Sequence, residues 1–403
     1  MKFYIKVQKE AVNKNVIKGI TMNRIRTITA VSKSTDPFIA IQEIHQQLNQ
    51  ENIRFVLFYC SSTYDLEYLS KMMTDTFKNI KIVGCTTAGE LSNQGYNTNS
   101  IVAIGFSSQY FTISATLIES IEKFNIVNAQ STIRELIEDC QSSNLTEIKN
   151  NSFLLTLLDG LSSNEEQFLF TLNSVNTDIP HFGGSAGDDF NLVESHVYYQ
   201  SNFYQGAAIV ILVNTTLPFE VFNCHHIKRT TEKLVVTAAN TYSRTVYELN
   251  AEPAAIYYAK LLNIDLKDLS PKVFALNPLA VKVGGRYFIR SIQKFNKTDL
   301  SLTFSCAVDV GIVLTVVEMG DILSPVTQML EGITQRYGKS ELVLTCDCVL
   351  RRLEIEQKDL ESKVRKLNTE YKIAGFNTYG EHINGIHLNQ TFTGVYIAAE
   401  LEQ

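Results

Sequence analysis

The chain has 403 residues, 45% of them hydrophobic and 19% charged, with a formal net charge of −6. This is a globular composition with length for two or three domains, and its acidic balance argues against a general nucleic-acid binder. No apolar run is long enough to span a membrane and residues 1–10 lack the apolar core of a signal peptide, so a soluble, cytoplasmic protein is expected.

Residues 1–30 read as a short strand pair. Asp36-Pro37 then opens an amphipathic helix carrying Ile41, Ile44 and Leu48 at helical spacing. Phe55–Cys60 is an apolar strand, followed by a helix to about Lys78 and a strand ending in the turn Gly84-Cys-Thr-Thr-Ala-Gly-Glu90. The segments 101–106 and 111–118 read as a hairpin turning at Ser107-Ser-Gln. The unit then starts again: strand 153–158, a helix to about Val175, and a strand ending in Gly183-Gly-Ser-Ala-Gly-Asp-Asp189. Phe55 and Phe153 are 98 residues apart, as are Thr87 and Ser185, so the two copies align without a gap. The expected fold is mixed α/β with largely antiparallel sheets. An N-terminal domain, 1–227, is internally duplicated (about 55–118 and 153–224), and an α+β C-terminal domain occupies 228–403. Within the latter, Pro253 sits at the start of a helix, and Val349–Tyr371 reads as the longest helix of the chain.

Gly183-Gly-Ser-Ala-Gly187 satisfies the GxSxG pattern of a serine hydrolase. That elbow needs a helix directly after the serine, whereas here a turn and another strand follow, and the first copy has Thr87 at the matching place. A binding reading fits the duplication better. Backbone N–H groups of the turns around Thr87, Gly89, Gly184, Ser185 and Gly187 could cradle an anion, while Glu90, Asp188 and Asp189 could hold an ammonium. Arg286, in Gly284-Gly-Arg-Tyr-Phe-Ile-Arg290, could clamp a carboxylate. Together these suit a zwitterion such as an amino acid. The seven cysteines are scattered and form no CxxC pair, which excludes a disulfide framework and a zinc ribbon; without CxxCH any haem would be non-covalent. His382 and His387 are the candidates for an axial ligand.

Further segments complete a pattern: Val83–Glu90, Phe182–Asp189, Tyr247–Ala254 with Tyr257-Tyr258, Asn277-Pro278, and Gly375-Phe-Asn-Thr-Tyr-Gly-Glu381 followed by Asn389-Gln-Thr391. In this order they resemble the FIST family, with an N-terminal and a C-terminal module. The resemblance implies a bacterial sensory protein that binds a small ligand and regulates a separate partner, a histidine kinase or a cyclic-di-GMP enzyme (diguanylate cyclase or phosphodiesterase). It adds Glu381 to the ligand-binding set. Some similar proteins bind haem and sense nitric oxide; for that alternative His387, just before Asn389-Gln-Thr391, is the first choice of ligand.

Overall fold

A computed structural model describes residues 25–176 and 178–399. Most of the strand pair expected at 1–30 lies outside the described residues.

The first unit runs β1 (Thr27–Ser32), α1 (Pro37–Leu48), β2 (Ile53–Ser61), α2 (Leu66–Thr76), β3 (Lys81–Thr87), β4 (Glu90–Ser92), β5 (Gly95–Asn97) and β6 (Ile101–Ser107). The second keeps that order: β7 (Phe111–Ile118), α3 (Ile126–Ser142), β8 (Ser152–Leu158), α4 (Glu165–Val175), β9 (His181–Ser185), β10 (Val197–Tyr199), β11 (Asn202–Tyr204) and β12 (Ala208–Thr215). A third unit opens with β13 (Phe219–Cys224) and is then interrupted by a separate body. That insertion holds β14 (Ile227–Asn240), β15 (Thr245–Leu249), β16 (Glu252–Pro253), α5 (Ala254–Leu262), α6 (Pro271–Leu276) and β17 (Leu279–Val283). It continues with β18 (Arg286–Arg290), β19 (Ile292–Asn296), β20 (Ser301–Phe304) and β21 (Val313–Met319). The third unit resumes with α7 (Ser324–Tyr337), β22 (Ser340–Cys348), α8 (Val349–Gln357), α9 (Glu361–Tyr371), β23 (Ile373–Thr378), β24 (Glu381–Ile383), β25 (Ile386–Leu388) and β26 (Phe392–Ala398).

The three units form three six-stranded sheets, ordered β1-β6-β2-β3-β10-β11, β7-β12-β8-β9-β24-β25 and β13-β26-β22-β23-β4-β5. Each sheet has one parallel pair, β2/β3, β8/β9 or β22/β23, within an otherwise antiparallel order. Each unit also gives its short hairpin away. The hairpin of the second unit finishes the first sheet, that of the third finishes the second, and that of the first finishes the third. The sequence makes two copies visible; the fold has three.

Burial explains why these strands are apolar throughout. Their inner faces meet in one central core, to which Phe55, Leu57 and Tyr59, then Phe153, Leu155 and Leu157, then Leu342, Leu344 and Cys346 make matching contributions. The outer faces are covered by α1 and α2, by α3 and α4, and by α7 and α9. Strands buried on both sides lose the polar alternation of a half-exposed sheet. The insertion builds its own core around Leu234, Tyr258, Phe274, Leu302 and Leu314.

Four expectations are corrected. Segment 228–403 is divided between two bodies, since the chain returns from the insertion to complete the third sheet. The strands at 101–107 and 111–118 do not pair as a hairpin: β6 lies in the first sheet and β7 pairs β12 in the second. The helix expected over 349–371 is two helices, broken around Asp359, whose φ of 53° is left-handed. Finally, the gapless alignment slips by one residue. Tyr59 lies opposite Cys85, while its counterpart Leu157 lies opposite Gly184, one residue further along, so Ser185 matches Thr86 and Ala186 matches Thr87.

Candidate functional site

The three turns after β3, β9 and β23 meet at one end of the core and hydrogen-bond in a ring. Ala88 N donates to Asn377 O (3.0 Å), Gly187 N to Thr86 O (3.1 Å), and Tyr379 N to Ser185 O (3.2 Å). A glycine precedes each turn at the same register because the neighbouring strand leaves no room. A Cβ on Gly84 would lie 2.2 Å from Phe58 O, on Gly183 2.2 Å from Thr156 O, and on Gly375 1.8 Å from Thr345 O.

The expected binding residues are therefore brought together, but turned inward. Thr87 Oγ1 donates to Glu90 (2.6 Å), which also accepts from Ser100 Oγ. Thr378 and Glu381 repeat the pair in the third unit, with Thr391 N (3.0 Å) and Oγ1 (2.9 Å) as further donors. Burial pushes both carboxyls up to about 8, against the pull of these hydrogen bonds. Gly89 packs under Arg352, whose Nη1 would lie 2.0 Å from a Cβ there, and Gly184 packs against Thr378. The turn N–H groups expected to cradle an anion are also engaged: Gly89 N reaches Thr87 Oγ1 (3.1 Å), Ser185 N reaches Gly380 O (2.8 Å) and Gly187 N reaches Thr86 O (3.1 Å). Arg286 stands exposed on β18 of the insertion, away from this ring.

Ser185 sits at the end of β9, fully buried, with Oγ 3.0 Å from His382 Nε2. The contact continues from His382 Nδ1 to Thr156 Oγ1 (2.9 Å) and on to His181 Nε2 (2.8 Å). A hydrolase would need a carboxylate behind the imidazole and an accessible serine. Here a threonine hydroxyl stands in that place. Burial keeps both imidazoles neutral, lowering His181 to about 4 and His382 well below its usual value. The chain of contacts fastens β24 of the third unit onto β8 and β9 of the second.

His387 does not fit a haem iron. Its Nδ1 lies 3.3 Å from Glu166 Oε1, and its Nε2 abuts Gly380 so closely that a Cβ there would fall 1.8 Å away. The imidazole is buried, so a porphyrin on that nitrogen would need the surrounding protein to move aside. His382 has both ring nitrogens in hydrogen bonds. Among the described residues, no group of three or more His, Cys, Asp or Glu side chains is placed to hold a metal ion.

The open space lies beside the ring, where the units stop being alike. In the first and third units the turn passes straight into β4 and β24; in the second, residues 186–196 intervene before β10. Asp188 builds this extra loop. Its carboxylate accepts from Leu192 N (2.9 Å), Val193 N (2.7 Å) and Glu194 N (3.0 Å), and also from the Tyr379 hydroxyl. Asp189 pins the loop to Ser61 Oγ, Ser62 N and Ser62 Oγ at 2.8–2.9 Å. Held this way, Asp189, Phe190 and Leu192 all adopt left-handed backbone, with φ of 54°, 69° and 55°. Each such residue costs on the order of 1 kcal/mol, and strain of this kind collects at functional sites.

Phe190 and Leu192 form one wall of a cavity of about 370 Å³. Val349, Leu350 and Leu353 of α8 form a second wall, and Pro271 with Ile292 of the insertion a third. The polar groups of the lining are Ser270, Lys272, Gln293, Ser305, Tyr379 and Asn389, with no carboxylate among them. Three larger grooves, about 880, 740 and 450 Å³, run over the outer helices with mixed charged linings; none reaches the ring, and only the last meets the loop, at His196. The smaller cavity is the better candidate because both departures from the repeat, loop and insertion, meet there. Sequence reading misses it: its walls come from three distant apolar stretches, and apolar residues carry no chemical signature.

The FIST N domain model matches residues 54–252 and the FIST C domain model matches residues 254–384. The chain belongs to the FIST family. FIST domains are sensory modules of signal transduction and are not catalytic. The two FIST models meet inside the insertion, so their boundary does not follow the bodies of the structure. No curated protein matches this FIST chain. No helix among its described residues is long and apolar enough to cross a membrane.

Proposed function

We propose that this FIST protein is a sensor that takes a small, largely apolar metabolite into the cavity between loop 186–196, α8 and the insertion. An amino acid with a bulky apolar side chain suits the volume, which falls in the range of small-molecule sites. Its side chain, rather than its ammonium, would be the recognised part, since Glu90, Asp188, Asp189 and Glu381 are engaged inside the protein. The observation that carries this reading is the convergence of the strained loop and the insertion on one apolar space.

Helix α8 is placed to report occupancy. One face lines the cavity, while Arg351 and Glu354 join a buried network on the other. Arg351 bonds Asp347 (2.7 Å) and His226 (3.2 Å), and His226 bonds Glu354 (2.8 Å). His226 stands where the chain leaves the core for the insertion. A ligand that binds the two arrangements of these bodies unequally shifts their populations, and a separate partner such as a histidine kinase or a cyclic-di-GMP enzyme would read the difference.

A thermal-shift screen with leucine, phenylalanine and polar amino acids tests the reading. Ligand at one hundred times its Kd adds about 2.7 kcal/mol to stability. The apolar compounds should raise Tm in the wild type and not in Leu353→Trp, which fills the cavity. A shift that persists in Leu353→Trp, or none with any compound, overturns the proposal.

A further inference from the structure

The Glu165–Glu166 pair at the start of α4 meets the insertion at Arg244 and at the backbone of Ala307. Arg244, in the turn between β14 and β15, is buried and donates through Nη2 to Glu165 Oε2 (2.6 Å) and to Glu166 Oε2. Its Nη1 reaches Glu165 Oε1 (3.4 Å) and Ser305 O (3.1 Å). Glu166 Oε1 accepts from Ala307 N (2.8 Å) and faces His387 Nδ1 (3.3 Å). The second unit, the third unit's hairpin and the insertion therefore converge on two carboxylates. Burying such a cluster contributes little net stability, because desolvation offsets most of the Coulombic gain, whereas breaking it leaves charges unpaired. What the cluster does provide is one permitted docking of the bodies.

That docking also shapes the cavity. Ser305, whose carbonyl takes the arginine, lines it, and so does Asn389, two residues beyond His387. Asn389 Oδ1 accepts from Ser291 N (3.4 Å), and Ser305 N donates to Ser291 O (2.9 Å), so clamp and wall share one stretch of backbone. We propose that Arg244 is a positioning residue, which without touching ligand holds the insertion against Glu165 and Glu166 so that the cavity walls meet.

The native cysteines supply the test. Cys306 lies between the two clamped residues 305 and 307, and Cys348 lines the cavity; both are buried. Cys60, Cys85, Cys140 and Cys346 are buried within the three-unit core, and Cys224 is partly exposed. Iodoacetamide labelling followed by mass spectrometry should show Cys306 and Cys348 reacting at least tenfold faster in Arg244→Met than in the wild type. The four core cysteines should stay protected and Cys224 should be unchanged. Uniform acceleration at all buried cysteines, the mark of a merely structural residue, overturns the proposal, as does unchanged labelling. If Arg244→Met fails to fold, Arg244→Lys, which keeps the charge and loses the fork, is read by the same criteria. The inference rests on the proposed cavity, but its readout needs no ligand: a barren ligand screen leaves the clamp standing, and uniform labelling leaves the ligand reading standing.

Discussion

The turn of the first unit and that of the second begin alike and end differently. After Gly84 the chain reaches Glu90 and enters β4, with Thr87 and Ser100 sealing the carboxyl. After Gly183 the position matching Thr87 is Ala186, and the acids beyond it serve a loop instead of a hairpin. The same architectural demand, a glycine where a strand carbonyl comes too close, is met in both. The residues downstream of that glycine differ between the units, and in the second they build the loop that walls the cavity, joined there by Tyr379 of the third unit's turn. A repeated element marks the frame here, and the copy that breaks the repeat marks the proposed site.

Three measurements test this contrast between frame and site. The largest effect should come from the shared glycines: Gly84→Ala and Gly183→Ala each drive a Cβ onto a backbone carbonyl, costing roughly 4 kcal/mol or more. Urea denaturation should find the two losses alike; a mild loss at either site would separate that unit from the frame.

Next is a pH dependence belonging to the first and third units. Glu90 and Glu381 titrate near 8 when folded and near 4.5 when unfolded, so the folded protein holds their protons more tightly. Their contribution is intact below about pH 4.5 and is lost as pH rises through about 8, on the order of a few kcal/mol for each group. Glu90→Gln and Glu381→Gln together should therefore gain on the wild type between about pH 5 and 8. A stability difference that stays flat with pH would sink the assignment.

The smallest effect belongs to the second unit alone. Asp188→Asn weakens the carboxylate that gathers three loop N–H groups and Tyr379, at about 2 kcal/mol. Hydrogen exchange should rise at 188–194 and stay unchanged at 84–90. Faster exchange in both turns would mean that Asp188 supports the ring as a whole.

The strands and the duplication are legible because buried strands announce themselves as apolar runs and because Phe55 and Phe153 head equivalent ones. The third copy is in plain view as well. Gly84, Thr87, Gly89 and Glu90 recur at the same spacing in Gly375, Thr378, Gly380 and Glu381. It escapes a search for repeats because the insertion separates it from the second copy and destroys the period. The Ser185 alignment slips when the string Thr87-Ala-Gly-Glu90 is laid on Ser185-Ala-Gly-Asp188, whereas the strand register pairs Ser185 with Thr86. Neither the inward turning of the acids nor the cavity can be read from residue type alone. Asp188 looks the same in sequence whether it faces a ligand or its own loop.

The exchanged hairpins also impose an order of events on the nascent chain. β4 and β5 leave the ribosome early, yet among the described residues their sheet neighbour is β23, through Glu90 with Phe376 and Leu91 with Gly375. Until that distant strand is synthesised, the hairpin and its open strand edge have no place to dock. Such exposed edges invite mispairing with neighbouring chains, so this protein should depend on chaperones more than its size alone would suggest.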